Sequence, residues 1–219
     1  MPPLPGDVAS LAHGINNAGQ VVGSSVDVDE RWTAVIWERD GTPRVLPGGS
    51  KPYAINNKGD VVGELTVWES NGGTRSLTLP VEPGIYGCPS EPTAEAITWH
   101  GETAGTVVTA DGDCSAVRWN KAGEPELLEQ PYLETYPGEF EYFSAFGHDI
   151  EATGEVVGET TYGLGGLWDR SGDFIPLPPP EGSDATFTYA INSRGEIAGY
   201  SQGPGVVSGD YTFLPVVWR

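Results

Sequence analysis

Residues Tyr53–Glu64 read YAINNKGDVVGE, an Asn pair and a Gly set between two short apolar runs. Near-copies occur at His13–Ser24 (HGINNAGQVVGS) and Tyr189–Tyr200 (YAINSRGEIAGY). A search for internal repeats therefore precedes any assignment of strands. Aligning on the apolar residue of the motif gives Ile15, Ile55, Ile97, Ile150 and Ile191, and aligning on the turn glycine gives Gly19, Gly59, Gly101, Gly154 and Gly195. Both series advance by 40, 42, 53 and 41 residues. A second marker closes the next apolar run at Trp37, Trp68, Trp119, Trp168 and Trp218, so five of the seven tryptophans hold one equivalent place. Two independent markers keep the same order in five units.

Each unit parses into short strands. In the first, LAHGI leads through an Asn-Ala-Gly turn to QVVGSSV, then to WTAVIWE, and an Asp-Gly hairpin at Asp40–Gly41 leads to PRVLP. The last unit stops after its third strand, and PLPG (Pro3–Gly6) matches LPGG (Leu46–Gly49), so the N-terminus is expected to supply the missing strand. Four-stranded units of about 40 residues are propeller blades. The expected fold is all-β, a five-bladed β-propeller in one domain over 1–219. Its blades are expected at 8–50, 51–82, 93–131, 144–180 and 185–219, with a strand at 2–7 completing the last.

The units resemble the HAF repeats, an extracellular repeat family whose pattern runs approximately Ala-x-x-Ile-Asn-x-x-Gly-x-Val-Val-Gly before an Ala-x-x-Trp element. The resemblance covers essentially the whole chain. The Ile-Asn-x-x-Gly core holds in units one, two and five, while unit three reads AITWHGETAG and unit four DIEATGEVVG. The family carries no assigned reaction, so the resemblance speaks to architecture.

Composition bounds the function. The 219 residues are enough for one sizeable core, and 31 Gly with 19 Pro suit many turns. With 31 acidic against 11 basic residues, a formal charge of −20, the chain lacks the clustered cations that nucleic acid requires. The excess acid favours a cationic ligand or partner, or simply a well-solvated surface. No run is long enough for a membrane helix. MPPLPGDVAS has neither the basic nor the apolar region of a signal peptide, which gives a cytoplasmic expectation as the sequence stands, and a secreted one if a leader was removed. A monomer is expected. Cys88 and Cys114 form either a disulfide or two free thiols.

The residues that repeat, Gly, Asn, Val and Trp, build the scaffold, so function is sought where the units differ. Two residues before the motif Ile, the units carry His13, Tyr53, Glu95, His148 and Tyr189. This innermost strand lines a propeller's channel, and the five residues are expected near its mouth as a polar ring. One place later, four units keep Gly or Ala and the fourth inserts Asp149, a carboxylate whose burial would perturb its pKa as acid/base catalysis needs. Asp149 with His148 and His13 is therefore the candidate catalytic set. Tyr53, Glu95 and Tyr189 are candidate ligand contacts, joined by Tyr136, Phe140 and Tyr142 from an aromatic segment at 130–145 and by Trp32. The expected cofactor is none. His13, His148 and Glu95 do form a two-histidine, one-carboxylate set of the kind that binds iron or zinc, without a local ligand motif. Acidic loops such as DVDERW match no complete calcium loop.

Scaffold residues repeat whereas ring and loop residues do not, which points to one asymmetric pocket and away from five equal sites. No serine elbow, phosphate loop or dinucleotide fingerprint names a reaction. The expected function is a cofactor-independent enzyme that cyclises, isomerises or hydrolyses a small, largely hydrophobic molecule. The alternatives are a lectin-like binding propeller and a protein-interaction platform.

Overall fold

A computed structural model describes residues 1–80, 88, 91–136, 139–204 and 211–219, and the side chains of 133–136 and 140 lie outside the description. No helix occurs among the described residues, and none is long and apolar enough to cross a membrane. The first sheet is β1 (Ala9–Ile15), β2 (Val21–Val26), β3 (Trp32–Trp37) and β4 (Pro43–Val45), in that order. The second is β5 (Ala54–Ile55), β6 (Val61–Gly63), β7 (Thr66–Trp68) and β8 (Thr74–Ser76). The third is β9 (Thr93–Ile97), β10 (Thr103–Val108), β11 (Cys114–Trp119) and β12 (Pro125–Leu127). A separate hairpin, β13 (Tyr132–Tyr136) and β14 (Glu139–Tyr142), precedes the fourth sheet. That sheet is β15 (Ala145–Ile150), β16 (Val156–Thr160), β17 (Gly166–Trp168) and β18 (Phe174–Pro176). The last is three-stranded: β19 (Ala185–Ile191), β20 (Ile197–Pro204) and β21 (Tyr211–Trp218). Every pairing is antiparallel between neighbours in sequence.

The chain is thus an all-β array of sheets that follow the repeat. Two expectations meet a different arrangement. The aromatic segment 130–145, to which no strand was assigned from the sequence, contains the β13–β14 hairpin, whose aromatic residues pair across it, Tyr132 with Tyr142. Pro3–Gly6 forms no strand and joins no sheet; its proline-rich backbone lacks the donors a ladder needs.

The repeated residues do the structural work their spacing suggests. The motif glycines Gly19, Gly59, Gly101, Gly154 and Gly195 all take positive φ, between 74° and 93°, to close the turn. Asn16 folds the turn with its Oδ1, which accepts from the Ala18 and Gln20 amides, and reaches the next sheet with its Nδ2, which donates to Asn56 O at 3.0 Å. Asn56 repeats this toward Thr98 O, also at 3.0 Å.

The tryptophans join the sheets. Each indole N–H donates to a carbonyl just past the fourth strand of the preceding unit: Trp68 to Pro47, Trp119 to Thr78, Trp168 to Glu129 and Trp218 to Pro178, at 2.7–3.2 Å. Trp37 finds the equivalent acceptor in Pro2 O at 2.9 Å, so the N-terminal segment caps the first sheet although it forms no strand. Apolar clusters lie between sheets and bind them pairwise. Val22, Ala34, Ile36 and Leu46 of the first meet Ile55, Val61 and Trp68 of the second. Ala96, Ala104, Ala116 and Leu128 of the third meet Ile150, Val156 and Trp168 of the fourth. Stability in such an array is a sum of sheet terms and nearest-neighbour contacts.

Cys88 and Cys114 form a disulfide, which settles the choice the sequence left open. It ties the segment ahead of β9 to the start of β11 and closes a loop with a sequence separation of 26.

Candidate functional site

The ring positions share a backbone device that the sequence reading missed. In the first, third, fourth and last sheets the innermost pair slips register by one residue, and the extra residue is His13, Glu95, His148 or Tyr189. These are β-bulges, which re-aim a side chain out of the alternating pattern of a strand. Opposite each stands the glycine that ends the Val-Val-Gly motif. A Cβ on Gly23, Gly105, Gly158 or Gly199 would lie 1.8–2.0 Å from a carbonyl oxygen of the inner strand. Gly63 faces Lys51 O in the same way at 2.3 Å, and Tyr53 takes the matching place before β5. The sequence carried the signal: a glycine recurs four places after every turn glycine, inside an apolar strand, where it marks a bulge or a close backbone approach.

The bulges line the varied residues up in a row. His13 stacks on Tyr53 with ring centroids 5.9 Å apart, and its Nδ1 donates to Pro52 O at 2.6 Å. Glu95 Oε2 lies 3.1 Å from His148 Nδ1, and the His148 ring tilts against Tyr189 at 5.2 Å. Tyr189 stacks on Tyr200 at 5.9 Å. A second carboxylate, Glu159 of β16, approaches His148 Nε2 at 3.8 Å, in ion-pair range without a hydrogen bond. His148 Nε2 and Glu159 Oε2 are buried atoms with no hydrogen-bond partner. Glu159 was not among the residues singled out from the sequence, since only the fold places β16 beside β15.

Electrostatics follow from this geometry. Burial disfavours the charged imidazole, but the two carboxylates, Glu159 and Glu95, outweigh it and raise the His148 pKa to about 9. The imidazolium is therefore the resident form at neutral pH. Burial raises the Tyr53 pKa, with Glu95 and Glu64 adding to it, and burial followed by Glu159 does the same for Tyr189, so both phenols stay protonated.

A cavity of about 980 Å³ opens beside Glu95, between the second and third sheets. Lys51, Tyr53, Glu64, Glu91 and Glu95 line it, with Ser50 donating to the Glu64 carboxylate. Glu64 holds a left-handed φ of 52° at the β6–β7 turn, a conformation costly for a residue with a Cβ. The lining is acidic, whereas a largely hydrophobic substrate was expected from the sequence. Lys51 also sits 5.7 Å above the Trp32 ring, which places Trp32 at the margin of this cavity.

Asp149 lies half-buried beside the row, and desolvation raises its pKa against the lowering effect of two backbone donors. Its Oδ1 accepts the Ile150 amide and its Oδ2 the Ile191 amide, both at 2.9 Å. It thus braces the fourth sheet to the last, the task Asn16 and Asn56 perform elsewhere. Tyr142 is 59% exposed and packs on Tyr132 at 5.7 Å, within the hairpin. The side chains of Tyr136 and Phe140 lie outside the described residues. Among the described residues no group of three or more His, Cys, Asp or Glu could hold a metal ion: His13 is bonded to Pro52, away from the Glu95–His148 pair.

One prediction rests on His148 alone. Its folded pKa lies above the usual 6.5, so its contribution to stability is complete below pH 6.5 and lost as the pH rises through about 9. The loss is at most about 3 kcal/mol. Urea midpoints of the wild type should fall across that interval, and those of His148→Gln should not. Parallel curves would show that the imidazole is not clamped by carboxylates.

No protein-family model matches the chain, and no curated protein matches it. A solved structure of virginiamycin B lyase from Staphylococcus aureus, a β-propeller in selenomethionine form, superposes with a TM-score of 0.52. It shares 15% identity, over 93% of this chain and 69% of that one. The likeness is one of fold.

Proposed function

We propose that this chain is a propeller enzyme whose five sheets are HAF-type blades and which moves protons on a small molecule without a cofactor. The observation that carries the reading is Glu95, a carboxylate on the wall of an open cavity, backed by the His148 imidazolium that Glu159 approaches from its other side. Glu95, which reaches both His148 and the cavity, is the base, and the His148 imidazolium 3.1 Å away orients it and favours its carboxylate form. Tyr53, whose phenol stays protonated on the same cavity wall, is the acid. A base and an acid on one wall suit elimination or isomerisation, in which one proton leaves carbon and another reaches the departing or accepting atom. The neighbour of similar fold is named for a lyase activity, which agrees with that class without fixing a substrate. Lys51 orients the ligand, and Glu64 and Glu91 favour one with a cationic or hydrogen-donating end. Asp149 serves as the brace that holds β15 against β19. The Cys88–Cys114 disulfide favours an oxidising compartment over the cytoplasmic one.

The test is turnover. The protein is incubated with a small-molecule metabolite extract, ligands are identified by native mass spectrometry, and their conversion is followed by chromatography. Glu95→Gln and Tyr53→Phe should each lower turnover about 10²-fold or more while leaving ligand capture within a few-fold. Captured ligand with no conversion by the wild type would make the chain a binding protein instead.

A further inference from the structure

Consecutive sheets cover one another in a fixed way; at the two ends of the array the forward face of the last sheet is open, and the N-terminal segment covers Trp37 of the first sheet but leaves Ile15 exposed. Val22, Ala34 and Ile36, the forward face of the first sheet, are all 0% exposed beneath Ile55, Val61 and Trp68. The same places in the last sheet are Ala198, Pro215 and Val217; all are exposed, Val217 by 56%. At the other end, Ile15 is 68% exposed, whereas its equivalents Ile55 and Ile150 are 9% and 6%. Each open face carries a groove. One of about 290 Å³ runs over Ala190, Ala198 and Val217, and one of about 310 Å³ over Ala12, Gly14, Ile15 and Val21. Hydrogen bonding is open in the same sense. Asn16 and Asn56 each donate forward to the next sheet, while the equivalent amide of Asn192 reaches only Glu196 of its own turn.

These are the two halves of the contact already formed inside the chain, and the first and last sheets make no extended contact with each other. We infer that the forward face of β19–β21 docks the β1–β4 sheet of a second copy of this chain, head to tail. The surface best fitted to that face is the one whose equivalents fit it at earlier steps, with Ile15 as the exposed apolar anchor; Trp37 lies behind it, already covered by Leu4 and bonded to Pro2 O. Docking would give Asn192 a forward carbonyl and set Tyr189 beside His13 of the second copy, extending the row of ring residues across the contact. Head-to-tail contacts of unlike faces build closed rings or open chains of copies according to the rotation they impose.

The experiment is sedimentation or light scattering with three samples. The wild type should contain species of at least twice the 23.2 kDa chain mass. Ile15→Asp and Val217→Asp each ruin one face, so each alone should be monomeric, because burying an unpaired carboxylate in an apolar contact is costly. Mixed together, they retain one good face of each kind and should recover a dimer that never grows further. That recovery also shows that both variants are folded. A wild type that stays monomeric overturns the proposal. An Ile15→Cys, Val217→Cys chain would then identify the occupant, since a disulfide within one molecule means the array closes on itself, as expected from the sequence. Association that survives both single substitutions overturns it as well, by placing the contact elsewhere.

Discussion

Gly158→Ala is expected to lower the stability of the protein by about 3 kcal/mol or more, out of proportion to one methyl group. The added Cβ would stand 1.8 Å from Phe146 O and 2.9 Å from the Phe146 carbonyl carbon, both backbone atoms that no rotamer change can move. Relief requires the bulge at His148 to open, and with it the pairing of β15 with β16. For a chain of this size the loss is a drop in melting temperature of about 10 °C. Gly41→Ala is the control, since Gly41 has a positive φ of 86° but no atom within 4 Å of its added Cβ. It should lose only the cost of the left-handed conformation, about 1–2 kcal/mol. Equal effects of the two substitutions would mean that backbone conformation, and not the close approach at the bulge, is what Gly158 supplies.

Trp119→Ala should cost about 3–5 kcal/mol, measured from urea unfolding midpoints. Trp119 is 0% exposed, packs with Val62, Val67 and Leu77 of the preceding sheet, and donates to Thr78 O at 2.8 Å. Trp119→Phe keeps most of the packing and removes the donor, so it should fall between, near the 1–3 kcal/mol typical of a buried acceptor left unpaired, roughly. Trp218 occupies the equivalent place in the last sheet, and its bond to Pro178 O, at 3.2 Å, is exposed. Trp218→Ala should therefore cost less than about half as much as Trp119→Ala. Equal losses at 119 and 218 would show that the indole acts through its hydrogen bond and not through burial.

The architecture could be read from the sequence because it is written several times. The turn glycines, the forward-reaching asparagines and the indole donors each recur with one geometry, and recurrence lets a weak local pattern stand out from chance. The Pro3–Gly6 segment was misread where that protection was missing. A likeness of four residues cannot reveal that two prolines deny the strand its donors, even though Pro2 still accepts from Trp37. The site was legible in part. The five varied positions, His13, Tyr53, Glu95, His148 and Tyr189, were found by lining up the units, and the structure brings Glu95, His148 and Tyr189 together. Glu159 could not be found that way, since its nearness to His148 arises from register between strands. Asp149 stood out correctly as the odd residue of its series. Its two amide partners, Ile150 and Ile191, belong to different sheets, and no spacing along one unit shows that the carboxylate spans them.

The glycine-backed bulge has a consequence for how such a protein can change over generations. The backbone fixes where each ring side chain projects, and it does so through a glycine on the neighbouring strand and not through the ring residue itself. Imidazole, phenol and carboxylate already occupy the same slot in different units, so the slot is indifferent to what fills it. Side-chain chemistry at these positions can then drift while the scaffold is kept by other residues, which eases the usual conflict between acquiring an activity and remaining folded. The array works as a socket board, and new specificities can be tried at His13, Tyr53 or Tyr189 without first inventing a backbone to hold them.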